Sequence, residues 1–165
     1  MFVLGIDPGL TRTGYGVLEA RGSRVRTVAV GVIRTDPRAA IGERLVELRR
    51  DLTSIIGEYR PDEVAMEEVF VNRNLHTATS VGRASGVVLM TAAEAGLRVA
   101  EYSPTAVKMA LTGYGAADKT QVGRVITMRL GLGEVPTPAD AADALAVALC
   151  HLQGLPMRRA VGRVT

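Results

Sequence analysis

"GIDPGLTRTGYG", residues 5–16, decides how this chain is read. An apolar run, Phe2 to Ile6, has the character of a buried strand, delivers one carboxylate, Asp7, and breaks at Pro8-Gly9, a turn signal. The chain then returns through Tyr15 to Ala20, turns at Arg21-Gly22-Ser23 and runs on through Val25 to Thr35, so the start reads as an antiparallel meander of three strands. Asp is depleted in strands and rarely buried alone. Asp7 therefore calls for a cation, a nest of backbone amides or a metal.

Beyond Ala39 the period changes. Ile41, Leu45, Leu48, Leu52, Ile55 and Ile56 recur at helical spacing with charges between them, which predicts an amphipathic helix ending near Gly57-Glu58. Glu63 to Phe70 is short and β-capable. Leu75 to Ala95 is helical but crowded with small residues, and Arg98 to Tyr102 reads as a fifth strand. Ser103-Pro104 opens a short helix through Leu111, and Lys119 to Leu130 and Pro138 to Leu152 complete the helices. The order predicts an α/β domain: a mixed five-stranded sheet, antiparallel meander first and parallel strands after, with helices on both faces. At 165 residues one domain is expected, over residues 1–153. The basic, proline-broken stretch 154–165 reads as a disordered C-terminal tail.

Composition narrows the class. The opening residues are too short for a signal h-region and lack a basic lead, so a cytoplasmic protein is expected. Cys150, the only cysteine, lies among apolar residues as a core thiol, which leaves neither a disulfide nor a cysteine-rich zinc site. The net charge of +3 permits a polyanionic partner without demanding one. Of twenty basic residues only Lys108 and Lys119 are lysines, and a compact, mobile ammonium in an arginine-rich chain hints at chemistry. The chain has no GxxxxGK[ST] loop, GxSxG elbow, HExxH or CxxC motif, and His76 and His151 read as a polar loop residue and a helix-end residue.

Four carboxylates stand where the local pattern wants something apolar. Asp7 ends the first strand; Glu67 projects from AMEEVF beside Ala65; Asp140 and Asp143, three apart on one helix face, open a helix that is apolar all round from Ala141 to Leu149. Each has a plainer alternative. Asp7 could take up turn amides, Glu67 could be an edge acid, and Asp140 could cap its own helix in a Thr137, Pro138, Asp140 set; Asp143 is the hardest to dismiss. A semi-buried group of four acids requires protons or divalent cations, and all-oxygen ligands of this charge suit Mg²⁺ or Mn²⁺.

GIDPG with TGYG, the AMEEVF segment, ADKTQV and the DAADALA helix together resemble, in order and approximate spacing, the RuvC family of Holliday-junction resolvases within the RNase H-like nucleases. The resemblance runs from about residue 2 to residue 153. It implies the RNase H-like fold, and it implies that Asp7, Glu67, Asp140 and Asp143 are metal-binding catalytic acids. By the same resemblance Lys108 and Lys119 contact DNA, Phe70 meets bases near the crossover, and Arg73 is a further DNA contact. Lys119, close to the acids, is expected to add charge stabilisation. The implied function is a homodimeric endonuclease that resolves four-way junctions in recombination and repair by paired symmetric nicks, with two Mg²⁺ ions per site, Mn²⁺ as a substitute, and 5′-phosphate ends. A RuvA-RuvB branch-migration complex is the implied partner. The rivals from other classes are an actin-like nucleotide-binding module and a non-catalytic junction-binding protein.

Overall fold

The first three strands are long because their turns are tight. In the computed structural model, which describes residues 1–68 and 75–161, β1 (Phe2–Asp7), β2 (Arg12–Arg21) and β3 (Arg24–Arg34) form the expected meander, with Gly22 in the left-handed conformation at the β2–β3 turn. β2 starts at Arg12 rather than Tyr15, because pairing of Asp7 with Gly14 extends the ladder into the turn. The helix α1 (Ile41–Tyr59) then crosses to β4 (Glu63–Glu67), which lies parallel to β1. A second crossover, α2 (Leu75–Glu94), leads to β5 (Val99–Tyr102), parallel to β4, so the sheet order is β3-β2-β1-β4-β5. The mixed sheet with helices on both faces is the predicted architecture.

One face carries α1 and α2. Leu48, Leu52 and Ile56 of α1 and Ala84 and Val88 of α2 bury Leu4, Ile6, Val17 and Met66 of the sheet. The other carries α3 (Pro104–Thr112), α4 (Lys119–Leu130) and α5 (Ala139–Val161), packed on Val3, Leu18 and Ala65. Alternation along the strands thus divides the core into two layers. Cys150 is buried in the second of these, as expected of a core thiol.

Several boundaries differ from the sequence reading. β4 closes at Glu67, short of Phe70. α5 begins at Ala139, one residue later than the N-cap, N1 and N3 set of Thr137, Pro138 and Asp140 requires. At its other end α5 passes Leu152 and runs to Val161, into the stretch read as a disordered tail. His151 is also not a helix-end residue, since α5 runs ten residues past it. It is buried, its Nε2 2.7 Å from Glu63 Oε2 and its Nδ1 3.0 Å from the Tyr102 hydroxyl, and so ties β4 and β5 to α5.

The GIDPG and TGYG glycines explain how α5 lies so close. Gly5, Gly14 and Gly16 fall side by side on β1 and β2, on the face that α5 covers. A Cβ on Gly14 would overlap the Asp140 carbonyl oxygen, one on Gly5 the Ala144 carbonyl oxygen, and one on Gly16 would stand 2.6 Å from Leu145 Cδ2. Residues 140, 144 and 148 form the helical row lying on this trough, since Ala148 Cβ comes within 2.8 Å of the same Gly5 position. Gly5→Ala forces backbone apart and is expected to cost about 1–3 kcal/mol or more. Gly57→Ala, on α1 with open space around it, is expected to stabilise by about 0.5–1 kcal/mol. Denaturant midpoints of the two variants check the contrast.

Candidate active site

Strand direction brings the acids together. β1 and β4 are parallel, so their last residues, Asp7 and Glu67, lie at the same end of the sheet. Both side chains fall on the α5 face, in step with Val3 and Ala65. The glycine trough sets the start of α5 over that end, with the Asp140 carbonyl above Gly14, the register partner of Asp7. Asp143, less than a turn on, belongs to the row that faces α3 and α4, together with Ala139, Ala142 and Ala146. Asp140 and Asp143 thus flank the strand ends from two adjacent rows of one helix, where the sequence reading put them on a single face.

The lysines approach from the other side. α3 is capped by Ser103, whose Oγ accepts from the Ala106 amide at 3.2 Å, and ends at Gly113 in the left-handed conformation; Lys108 sits in its middle. α4 opens with a reciprocal cap, in which the Gln121 amide donates to Asp118 Oδ1 at 2.8 Å and the Asp118 amide to Gln121 Oε1 at 2.9 Å. Lys119 is the first residue after that cap. Its Nζ donates to Asp143 Oδ2 at 3.0 Å. Glu67, Lys108, Lys119 and Asp143 share the rim of a cleft of about 420 Å³ whose floor is apolar, made by Val107, Val122, Ile126 and Ala146. Such a floor keeps the local dielectric low beside the charged groups.

The electrostatics are those of an overloaded acid cluster. Burial, then the charges of Glu67, Asp143 and Asp140, push Asp7 from the usual 3.8 up to about 8, against the pull of Lys119. Glu67 is also raised, chiefly by burial and then by Asp143, with Lys119 and Lys108 opposing. Lys119 is raised, first by its hydrogen bond to Asp143 and then by that residue's charge. Asp140 pairs with Arg12, Nε to Oδ2 at 3.3 Å, but out of line for a hydrogen bond, which leaves that buried oxygen without a hydrogen-bond partner. The plainer reading of Asp140 as a helix cap has no support in these contacts.

Among the described residues no three His, Cys, Asp or Glu side chains already close around one metal-sized point. Two of the four acids are instead turned to cations, Asp143 to Lys119 and Asp140 to Arg12. The donor set nonetheless fits a hard divalent cation. It is all oxygen, Asp7 is held unfavourably as an anion, and a buried Asp140 oxygen lacks a hydrogen bond. Phe70 and Arg73 lie outside the described residues. Arg12 and the three trough glycines are what sequence reasoning missed, although all four lie in the GIDPGLTRTGYG stretch.

A titration test follows from Asp7. A carboxylate whose pKa is raised on folding contributes its full stability below the unfolded value of 3.8 and loses it as pH rises toward about 8. Without divalent cation the protein is therefore expected to melt lower at pH 8 than at pH 6. Asp7→Asn is expected to raise the pH 8 melting temperature and flatten that dependence, as measured by calorimetry in a chelator; a variant that melts lower than the parent would mark Asp7 as a structural anion.

The fold and site can now be set beside known proteins. The family model described as Crossover junction endodeoxyribonuclease RuvC matches residues 3–151. The protein of that name from Syntrophomonas wolfei is 51% identical over 152 residues, covering 92% of this chain and 88% of its own, and that from Chloroflexus aggregans is 47% identical over 162 residues, covering 98% and 99%. Among solved structures, Thermus thermophilus RuvC in complex with a Holliday junction substrate superposes with a TM-score of 0.91 at 40% identity, covering 95% of this chain and 96% of that one. A fowlpox virus resolvase, at 13% identity and a TM-score of 0.63, shares the fold. By a match spanning nearly its whole length and by identity close to half with its relatives, this chain belongs to the RuvC family of crossover junction endodeoxyribonucleases.

Proposed function

We propose that this chain resolves Holliday junctions in DNA recombination and repair by hydrolysing a phosphodiester bond in each of two opposed strands, with Asp7, Glu67, Asp140 and Asp143 as its metal-binding catalytic acids. The observation that carries the reading is the convergence of these four on one sheet end, where Asp7 is pushed up to about 8 by burial and then by the charges of the other three. Mg²⁺, with Mn²⁺ as a substitute and two ions per site, matches a set of hard oxygen donors. Bound there, the cations supply an activated water and neutralise charge on the phosphate and on the departing 3′ oxygen, leaving 5′-phosphate ends.

The protein's own groups divide the remaining work. The strand ends and the α5 start are rigid mounts, so the acids are positioned before DNA arrives. Lys108 and Lys119, on the cleft rim, are placed to hold phosphate oxygens, and Lys119 stabilises the charge that develops as the bond breaks. Phe70 is assigned to bases near the crossover and Arg73 to the backbone, by the family resemblance. Among the described residues no helix is long and apolar enough to cross a membrane; the proposed place of action, because the substrate is DNA, is the cytoplasm. A RuvA-RuvB branch-migration complex is the proposed partner.

Two symmetric nicks call for two copies of the site. The outer face of α2 suits a homodimer contact: Gly82, Gly86 and Met90 recur at a spacing of four, the glycines have open space above them, and Leu89 and Met90 are exposed. Met90→Asp is expected to shift the protein from dimer to monomer in sedimentation while its fold, by circular dichroism, is retained. An unchanged dimer would move the contact elsewhere.

The central test pairs a synthetic four-way junction with a linear duplex, with and without Mg²⁺. Selective junction binding in both conditions and paired nicking only with the cation are expected, and Asp7→Asn is expected to bind but not cut. Tight binding with no nicking in either Mg²⁺ or Mn²⁺ would instead favour the non-catalytic binding protein, and stabilisation by ATP the nucleotide-binding module. Lys108→Ala and Lys119→Ala are each expected to slow nicking about 10- to 1,000-fold at constant ionic strength; wild-type rates in both would remove the lysines from the mechanism.

A further inference from the structure

Arg12 stands beside Asp140 and has no part in the reaction just described. Its Nε stands 3.3 Å from Asp140 Oδ2, and its side chain is about half exposed. The backbone that carries it is held firmly. Arg44 of α1, itself buried, donates from Nη2 to Thr11 Oγ1 at 2.7 Å and from Nε to Thr35 Oγ1 at 3.0 Å, and the Thr35 amide donates to the Thr11 carbonyl at 3.2 Å. Thr35 Oγ1 in turn donates to the Leu10 carbonyl at 2.5 Å. The residues before Arg12 are therefore anchored to α1 and to Thr35 just past β3, while its guanidinium reaches over the start of α5. The pair is poorly aligned: the buried oxygen it faces gains charge compensation without a hydrogen bond.

We propose that Arg12 is the resident counter-ion of Asp140, holding that carboxylate in the cation-free protein and releasing it when a divalent cation binds. Asp140 then has two alternative partners, a misaligned guanidinium and a hard cation, and the first competes with the second. The competition is weak by construction, because the guanidinium is about half exposed and makes no hydrogen bond to the carboxylate it faces. Lys119 stands in the same relation to Asp143, but it is already assigned to the phosphate. Arg12 thereby sets the cation concentration at which the site fills, and a guanidinium released toward solvent at the rim of a DNA-cleaving site is well placed to meet a phosphate. This inference rests on the reading of Asp140 as a cation ligand.

Mn²⁺ binding to the full chain, followed by loss of the free-ion electron paramagnetic resonance signal, separates the two. Arg12→Gln is expected to tighten the apparent Kd for Mn²⁺ by about two- to fivefold at low ionic strength, with the gain shrinking in high salt. Arg12→Lys is expected to stay near the parent value. Arg34→Gln, which removes the same charge from the register neighbour of Arg12, is expected to change the Kd by less than about twofold. In an Asp140→Asn background the Arg12→Gln gain is expected to vanish, because the carboxylate over which they compete is gone. A gain no larger than that of Arg34→Gln, or one that persists with Asn at 140, overturns the role of Arg12 while leaving the metal site intact. Failure of the parent chain to bind Mn²⁺ at all overturns the metal-site reading itself, and this one with it.

Discussion

The backbone-to-backbone approach of α5 to β1 and β2 is the constraint on which the rest depends. It exists because Gly5, Gly14 and Gly16 leave no side chains in the way, and because the helix answers with alanines on its facing row. That approach delivers Asp140 and Asp143 to the strand ends bearing Asp7 and Glu67. A larger residue at any of the three glycines would move the acids as well as the helix, so packing and chemistry are coupled there. Glycine in a strand interior is weakening in itself. Here the loss is offset by the burial of Ala144, Leu145 and Ala148, among the least exposed residues in the molecule.

Such a mount concentrates like charges, and the cluster is destabilising by itself. Asp7 and Glu67 are pushed toward their protonated forms, and Asp143 and Asp140 lean on Lys119 and Arg12. The fold holds the carboxylates where a cation can bind them, at the cost of holding them where they repel. Rigidity elsewhere makes this sustainable. His151, buried further along α5, bonds Glu63 at the start of β4 and Tyr102 at the end of β5, so the helix that carries two of the acids is also tied to the sheet well beyond them along its length. Sites that sacrifice stability for function commonly draw on such reserves in the surrounding core.

The cleft beside the acids complements this arrangement. Apolar Val107, Val122, Ile126 and Ala146 line it together with Glu67, Asp143 and the two lysines, so charged and apolar groups share one cleft. The lysines come from α3 and α4, separate elements with their own caps. Their ammonium groups therefore reach the rim from a direction the acids leave open.

Much of this was legible in the sequence, because it is written in local periods. Strand alternation, the change to helical spacing after Ala39 and the turn at Pro8-Gly9 determined the α/β order and the mixed sheet, and acids in apolar surroundings singled out Asp7, Glu67, Asp140 and Asp143. What only the tertiary structure decided concerns partners distant along the chain. That Arg12 faces Asp140, that His151 bridges Glu63 and Tyr102, and that the glycines of one motif seat the helix of another are all facts about closeness in space, which no local pattern encodes. The limits of α5 belong there too. Its start at Ala139 and its run to Val161 differ from what the local signals for capping and ending a helix indicate, and over Ala144 to His151 it is buried against the sheet, a long-range gain that no local pattern encodes.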